Sequence, residues 1–445
     1  QRPVNNLFFS GDEVMEQSDI RLDGDTLIIP DGDSVILYGQ STRKLVRVPI
    51  KEWPEPAREL YLKAGFFRTF SHVPTQDLCK VWHGFSSLTL LVSRRCNLNC
   101  RYCYASAQPS GLLMSEELAL NAVRCYLQGT EKIKVSFHGG GEPTLNMPVL
   151  KAVTKQVREC ATGRKYNFSV VTNGIFDTAI ADWLMSNHFS ITISWDGPPE
   201  VQDRNRPLVG GSPSSRRVEK TVRYLTEHGY KFSVRTTISS LDDIRATINY
   251  FASYGVKKLH LEPLFPSGRD YQTISFGNAD GYHVSAPFGV ELASMFMEAL
   301  DECEKLGIKL RSTALNNGLP AWHGTTFCGH ACGRGMVATH DGFLTTCSEV
   351  VDAEDPAAPI FHYGYWDQEK QSYQVNEQQF VRLLKRHIKN IPQCSECFAR
   401  YACGGGCAVK AFRRTSDILA VEPENCTFVR TLVPELIKRA TRRQT

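Results

Sequence analysis

Leu88-Thr89-Leu90-Leu91-Val92 runs through Ser93-Arg94-Arg95 into Cys96-Asn97-Leu98-Asn99-Cys100-Arg101-Tyr102-Cys103. The apolar opening reads as a buried strand, and the cysteines follow where its C-terminal end emerges. Three thiolates spaced C-x3-C-x2-C can hold three corners of a [4Fe–4S] cubane and leave the fourth iron without a protein ligand. An open iron can chelate a small molecule, as an open position on any catalytic metal can. Eight more cysteines lie near the C-terminus: Cys328, Cys332, Cys347, Cys394, Cys397, Cys403, Cys407 and Cys426. They count to two closed four-thiolate sites. Zinc is the competing reading, since C-x2-C-x5-C-x3-C taken alone suits a tetrahedral ion.

From Leu88 onward strands alternate with helices. Ile133–Phe137, Phe168–Val171, Ser190–Ile193, Phe232–Thr236 and Lys258–Leu261 are short strand-like runs, most of them separated by enough chain for a crossover helix. Ser115-Glu116-Glu117-Leu118 opens one such helix with a capping hydroxyl and an acidic first turn. Leu118, Ala122, Cys125 and Tyr126 share one of its faces. Six βα units in a row imply an α/β fold with a parallel sheet and right-handed crossovers. Chemistry in barrels of this kind sits at the C-terminal ends of the strands. His138-Gly139-Gly140-Gly141-Glu142-Pro143-Thr144 follows the second strand, and Thr172-Asn173-Gly174 the third. Ser194-Trp195-Asp196-Gly197 leads toward Gln202, Arg204, Arg206 and Pro207 after the fourth, and Glu262-Pro263 ends the sixth. Glycines let backbone approach a ligand closely, and their carbonyls can accept from an ammonium group.

The first cysteine loop, with Tyr102 before its third cysteine, resembles the radical S-adenosylmethionine (SAM) signature. The later spacing resembles the SPASM domain. Cys332, Gly342 and Cys347 match its opening, Cys394 to Cys407 its middle, and Cys426 its close. The resemblance spans about residues 86–430. It implies a partial (β/α)6 TIM-like barrel over 86–310, a SPASM domain over 311–445, three [4Fe–4S] clusters and bound SAM. Cys96, Cys100 and Cys103 would hold the catalytic cluster. Cys328, Cys332, Cys347 and Cys407 would hold one auxiliary cluster, and Cys394, Cys397, Cys403 and Cys426 the other. Gly140, Gly141 and Glu142 resemble the family's GGEP motif, which binds the SAM amino group. Tyr102 and Asn173 join the expected SAM contacts. Ser194 and Asp196 suit the ribose hydroxyls, and Arg206 suits the methionine carboxylate in a charge-assisted pair. Gln202 stands where the family usually has His, and Arg204 reads as a surface residue. The class implies one-electron cleavage of SAM to a 5′-deoxyadenosyl radical that takes hydrogen from substrate. A flavodoxin or ferredoxin would supply the electron, and the auxiliary clusters would accept the second one.

Residues 1–85 separate the families that share this inventory. Asp23–Ile29, Ser34–Tyr38 and Lys44–Val48 read as strands, with an Asp-Gly turn between the first two. Pro54 to Lys63 starts a helix with proline near its first turn. A small β-hairpin plus helix module of this kind resembles the peptide-recognition domain of enzymes that modify ribosomally made peptides. A strand edge can capture an extended leader by β-augmentation; a packing extension is the alternative. The expected function is radical maturation of a precursor peptide, with an intramolecular C–C or C–S (thioether) cross-link as product. A formylglycine-generating anaerobic sulfatase maturase and a non-catalytic iron–sulfur or zinc scaffold are the alternatives.

Composition narrows the partners. With 51 basic and 47 acidic residues the net charge is +4, which gives no reason to invoke nucleic acid. No apolar run approaches the ~18 residues that span a bilayer, so no membrane partner is expected. The polar start, Gln1 to Asn6, lacks Met and reads as a trimmed end without a secretory core. Thiolate clusters and a reducing cytoplasm are compatible. Cys79, Cys125, Cys160 and Cys303 lack partner spacing and read as small buried hydrophobes. The basic tail from Lys438 to Arg443 reads as a solvated helix end.

Overall fold

The computed structural model describes residues 20–49, 57–68, 84–128, 130–238, 244–264, 286–316 and 318–443. Cys79, Pro54 and the polar start lie outside the described residues. Four strands, β1 (Arg21–Asp23), β2 (Thr26–Asp31), β3 (Ser34–Gly39) and β4 (Lys44–Pro49), form an antiparallel meander in that order. The expected strand Asp23–Ile29 is therefore broken. Gly24-Asp25 is the turn between β1 and β2, with Gly24 at φ +60°, where a Cβ would meet the Arg68 carbonyl oxygen at 2.6 Å. Buried Asp25 accepts from Arg68 N at 3.1 Å and Ser41 N at 3.3 Å, which fixes the turn. The expected Asp-Gly turn falls between β2 and β3, where Asp31 ends β2 and Gly32 and Asp33 reverse the chain. A helix follows at Ala57–Lys63. Leu27, Ile29, Ile36 and Tyr38 pack into the main core, while Val35, Leu37 and Val48 make a small core with Phe66 and Phe67.

Among the described residues the second sheet has thirteen strands. Its centre is β5 (Ser87–Leu91), β6 (Lys132–His138), β7 (Lys165–Thr172), β8 (Ser190–Ser194), β9 (Phe232–Ile238) and β10 (Lys258–Pro263), all parallel and adjacent in chain order. These are the six expected strands, and together they give the α/β partial-barrel class. The β10 edge continues through β11 (Lys309–Arg311), β12 (Leu315–Asn316) and β13 (Leu319–Pro320). At the other edge β14 (Gly335–Thr339) lies parallel to β5, followed by antiparallel β15 (Phe343–Thr345), β16 (His362–Asp367) and β17 (Ser372–Val375). Strand pairing thus runs from the cysteine-rich C-terminal region directly onto the first strand of the barrel.

Burial alternates along the central strands with period two. In β9, Phe232, Val234, Thr236 and Ile238 are buried against the outer layer, and Ser233, Arg235 and Thr237 are not. In β10 the same holds for Leu259, Leu261 and Pro263 against His260 and Glu262. The outer layer includes the helix Glu116–Leu127, whose N-cap Ser115 accepts from Leu118 N at 3.1 Å. Its core face is Ala119, Ala122, Val123 and Tyr126, and the expected Leu118 and Cys125 are half-buried. Of the unassigned cysteines Cys303 is buried, Cys125 half-buried and Cys160 exposed. Cys160 departs from expectation because it ends the helix Met147–Cys160 on its solvent side. The basic tail is also less free than expected. Arg439, on the helix Pro423–Arg442, holds Glu304 of the helix Ala286–Lys305 at 2.9 Å. Among the described residues no helix is long and apolar enough to cross a membrane.

Candidate active site at the mouth of the barrel

The cysteine loop leaves β5 and is pinned on two sides. Arg94 N donates to Leu112 O at 2.8 Å and Cys96 N to Gln108 O at 3.1 Å. Asn99 N donates to Pro207 O at 2.8 Å and Arg101 N to Asn205 O at 3.0 Å. Cys96, Cys100 and Cys103 act on one another electrostatically and line one cavity of about 270 Å³. Burial pushes the Cys96 and Cys100 thiols up to about 12. Such thiols ionise only against a compensating cation, so metal uptake here releases protons.

The glycine run after β6 crosses directly over this loop. Gly140 stands at φ +101°, and a Cβ on it would meet Ser93 O at 2.8 Å. A Cβ on Gly141 would meet Arg95 O at 2.1 Å, so backbone meets backbone where no side chain fits. Gly141→Ala is expected to cost on the order of 3 kcal/mol through forced backbone movement. A thermal midpoint equal to the parent's would show that the two loops part freely. Glu142, 2% exposed, ties the site together. Its Oε1 accepts from Thr144 N at 3.0 Å, Thr144 Oγ1 at 2.7 Å and Thr172 Oγ1 at 2.7 Å. Its Oε2 accepts from Asn173 N at 2.7 Å. Burial raises the Glu142 carboxyl above its ordinary value, against the pull of these bonds. Asn173 in turn donates to Asn97 Oδ1 at 2.7 Å, which fastens the third strand's end to the cysteine loop.

A second buried network stands beside the first. Tyr102 OH donates to Asp196 Oδ2, Asn205 Nδ2 donates to the same oxygen at 3.3 Å, and Thr237 N donates to Oδ1 at 3.1 Å. Arg206 Nε pairs with Asp196 Oδ1 at 3.1 Å, and its guanidinium lies 5.1 Å from the Tyr102 ring centroid. Burial opposes the Arg206 charge, but Asp196 outweighs it and holds Arg206 above its ordinary value. Gln202, whose task the sequence left open, is fully buried. It accepts from Asp196 N at 2.9 Å and donates to Ser214 Oγ at 3.0 Å. Arg204 is exposed, as expected. Tyr102, Gly140, Gly141, Glu142, Asn173, Ser194 and Arg206 all line the cavity with the three cysteines. Asp196 does not line it; its carboxylate is spent on the network.

Of the remaining wall, the sequence placed His138 and Glu262 at strand ends and singled out none of the others. His138, Arg235 and Glu262 come from the strands, and Ser348, Glu349 and Lys410 from the cysteine-rich region. Burial drives His138 down to about 3, so its imidazole is neutral. Glu262 accepts from Thr313 N and Thr313 Oγ1, each at 2.8 Å, and from His260. Burial would raise its carboxyl, but these partners and Arg235 hold it below its ordinary value. Period-two alternation in β9 was the one signal that pointed to Arg235.

The later cysteines gather as two sets. Cys347 and Cys407 act on each other, and Cys328 acts on both. These three line a second cavity, of about 210 Å³, and Cys332 interacts with Cys328. Cys403 and Cys426 act on each other and on Cys394 and Cys397. Burial pushes Cys328 and Cys394 up to about 11 and Cys403 and Cys426 up to about 12. Arg235, Ser348 and Glu349 line both cavities.

Residues 90–251 match the family model of the Radical SAM superfamily. This segment is a radical SAM domain, and the chain is an enzyme of that class, which works with a [4Fe–4S] cluster and SAM. A serine-type anaerobic sulfatase-maturating enzyme of Bacteroides thetaiotaomicron is 24% identical over 347 residues, 72% of this chain and 82% of that protein. Native anSMEcpe with bound AdoMet and Kp18Cys peptide superposes with a TM-score of 0.59 at 21% identity, covering 80% of this chain and 99% of that one. Streptococcus suis SuiB bound to precursor peptide SuiA superposes with a TM-score of 0.51 at 13% identity, covering 91% and 98%.

Proposed function

We propose that this enzyme matures a ribosomally made precursor peptide, joining two of its residues by a C–C or C–S bond. The observation that carries the reading is the composition of the cavity. The three-cysteine loop lines it, and so do Ser348, Glu349 and Lys410, from beside the later cysteines. A substrate lodged there touches the radical-generating side and the auxiliary side at once. That SuiB and anSMEcpe have each been solved with a peptide supports a peptide as substrate.

Cys96, Cys100 and Cys103 fit a site-differentiated cluster, because they share one cavity and leave its lumen open. Cys328, Cys332, Cys347 and Cys407 would hold one auxiliary cluster, and Cys394, Cys397, Cys403 and Cys426 the other. When bound, the first cluster and SAM supply the radical that removes hydrogen from the substrate. The chain's own residues orient and shield. The glycine carbonyls and Glu142 Oε2, which takes one bond where Oε1 takes three, would receive the SAM ammonium. Arg206, with Nε occupied by Asp196, keeps its terminal nitrogens for the carboxylate. Ser194 would meet the ribose. Asp196 would serve it only through the residues it holds. The meander of β1–β4 would receive the leader, and a flavodoxin or ferredoxin would deliver the electron.

Sulfatase maturation is the second reading, favoured by the 24% identity to a sulfatase-maturating enzyme. Anaerobic turnover of the peptide encoded beside this gene separates the two. A cross-link leaves the peptide lighter by two hydrogens and inert to a hydrazide. Formylglycine made from serine has the same mass change but captures the hydrazide. A hydrazide-reactive product from a sulfatase peptide, with no change in the neighbouring precursor, would decide for the second reading.

A further inference from the structure

The charge of Arg386 meets cysteines of both later sets. Arg386 follows the helix Glu377–Leu384 and is 4% exposed. Its guanidinium donates to backbone carbonyls: Nη1 to Ala420 O at 2.9 Å and to Ile418 O, Nη2 to Gly405 O at 2.7 Å and to Gly406 O at 3.3 Å. The charges that act on it are the sulfurs of Cys407, Cys394 and Cys403, together with Glu422, which stands beyond ion-pair distance. Cys407 belongs to one set, and Cys394 and Cys403 to the other.

A buried cation without a counter-charge costs several kcal/mol, and carbonyl dipoles offset only part of that. Neutral thiols do not complete the balance. A thiolate-ligated [4Fe–4S] cluster carries net negative charge, and reduction adds one more. The potential of such a cluster depends on surrounding charge and on its exposure to solvent. The chain brings this cation to the middle deliberately in structural terms. Cys403-Gly404-Gly405-Gly406-Cys407 starts in one set and ends in the other, and all three glycines stand at positive φ, from +64° to +86°. That turn aims the Gly405 and Gly406 carbonyls at Arg386.

We propose that Arg386 is the shared counter-charge of both auxiliary clusters and raises the reduction potential of each, favouring acceptance of an electron from the substrate side. The proposal rests on the reading of the eight cysteines as two clusters. The competing role is a clamp that only shapes the 403–407 turn, and charge separates the two.

The test uses full-length protein reconstituted anaerobically, as parent, Arg386→Gln and Arg386→Lys. Iron and sulfide per chain are measured first, and then the cluster potentials are titrated by electron paramagnetic resonance. Both variants are expected to keep the parent's iron and sulfide. Arg386→Gln is expected to lower both auxiliary midpoints by at least tenfold in the reduction equilibrium, about 59 mV for a one-electron couple. Arg386→Lys, which keeps the charge, is expected to shift them by less than half as much. Unchanged midpoints in fully loaded Arg386→Gln would overturn the proposal. So would loss of clusters from both variants, which would leave a clamp alone. A parent chain holding iron and sulfide for the first cluster only would defeat the cluster reading itself, and the proposal with it, before any substitution is compared.

Discussion

The chain carrying Cys96→Ala, Cys100→Ala and Cys103→Ala together is expected to release no 5′-deoxyadenosine from SAM under dithionite, and to keep about two thirds of the parent's iron. Both halves of this result follow from placement. The three sulfurs share the barrel-mouth cavity, and the later sets stand apart from it, so the loss is confined to one cluster. The fold should tolerate the change. The loop is held by backbone bonds to Gln108, Pro207 and Asn205, and Cys96 Sγ accepts only from Leu98 N at 3.4 Å and weakly from Asn173 at 3.8 Å. All three are replaced at once because a single substitution can leave a partly ligated cluster that still turns over. Chromatographic measurement of 5′-deoxyadenosine beside an iron assay checks the prediction. Nucleoside release near the parent's rate would remove the first cysteine loop from the chemistry.

Short apolar runs between helical stretches located β5 to β10, because a parallel sheet covered by helices needs such strands and little else does. The cysteine spacings raised the expectation of clusters for a comparable reason: few other demands place thiols at those intervals. What stayed hidden depends on contacts between distant segments. That β14 lies along β5 follows from the return of the chain after residue 320, which no local pattern encodes. Glu349 and Lys410 sit two and three residues after cysteines, and nothing nearby says which cavity they face. Gln202 offered a mismatch to a familiar pattern, and only the folded loop shows it carrying Asp196 N and Ser214 Oγ together. The expected strand Asp23–Ile29 is broken because Gly24, at φ +60°, turns the chain between β1 and β2. The N-terminal region also cannot be removed cleanly. Leu27, Ile29, Ile36 and Tyr38 belong to the main core, so deleting 1–85 would bare apolar surface as well as any leader site.

Asp196→Ala is expected to destabilise the enzyme by about 4 kcal/mol, the range for breaking a buried ion pair by removing one partner. Four groups lose their acceptor together: Arg206, the Tyr102 hydroxyl, Asn205 and Thr237 N. Arg206 is 8% exposed and would be left as a buried charge facing the Tyr102 ring. Replacement by Asn keeps one acceptor oxygen, for Thr237 N, and turns its amide nitrogen to the Tyr102 hydroxyl, which can accept; the charge is lost, so Asp196→Asn should fall between parent and Ala. Arg206→Ala divides its effect differently. It removes the terminal nitrogens assigned to the SAM carboxylate, at about 2 kcal/mol of binding. Thermal midpoints and SAM dissociation constants, measured on the same preparations, separate the two roles. Asp196 substitutions should move the midpoint most, and Arg206→Ala should move SAM affinity most. A midpoint for Asp196→Ala equal to the parent's would mean that the network contributes little to the fold. Unaltered SAM affinity in Arg206→Ala would place the carboxylate elsewhere in the cavity.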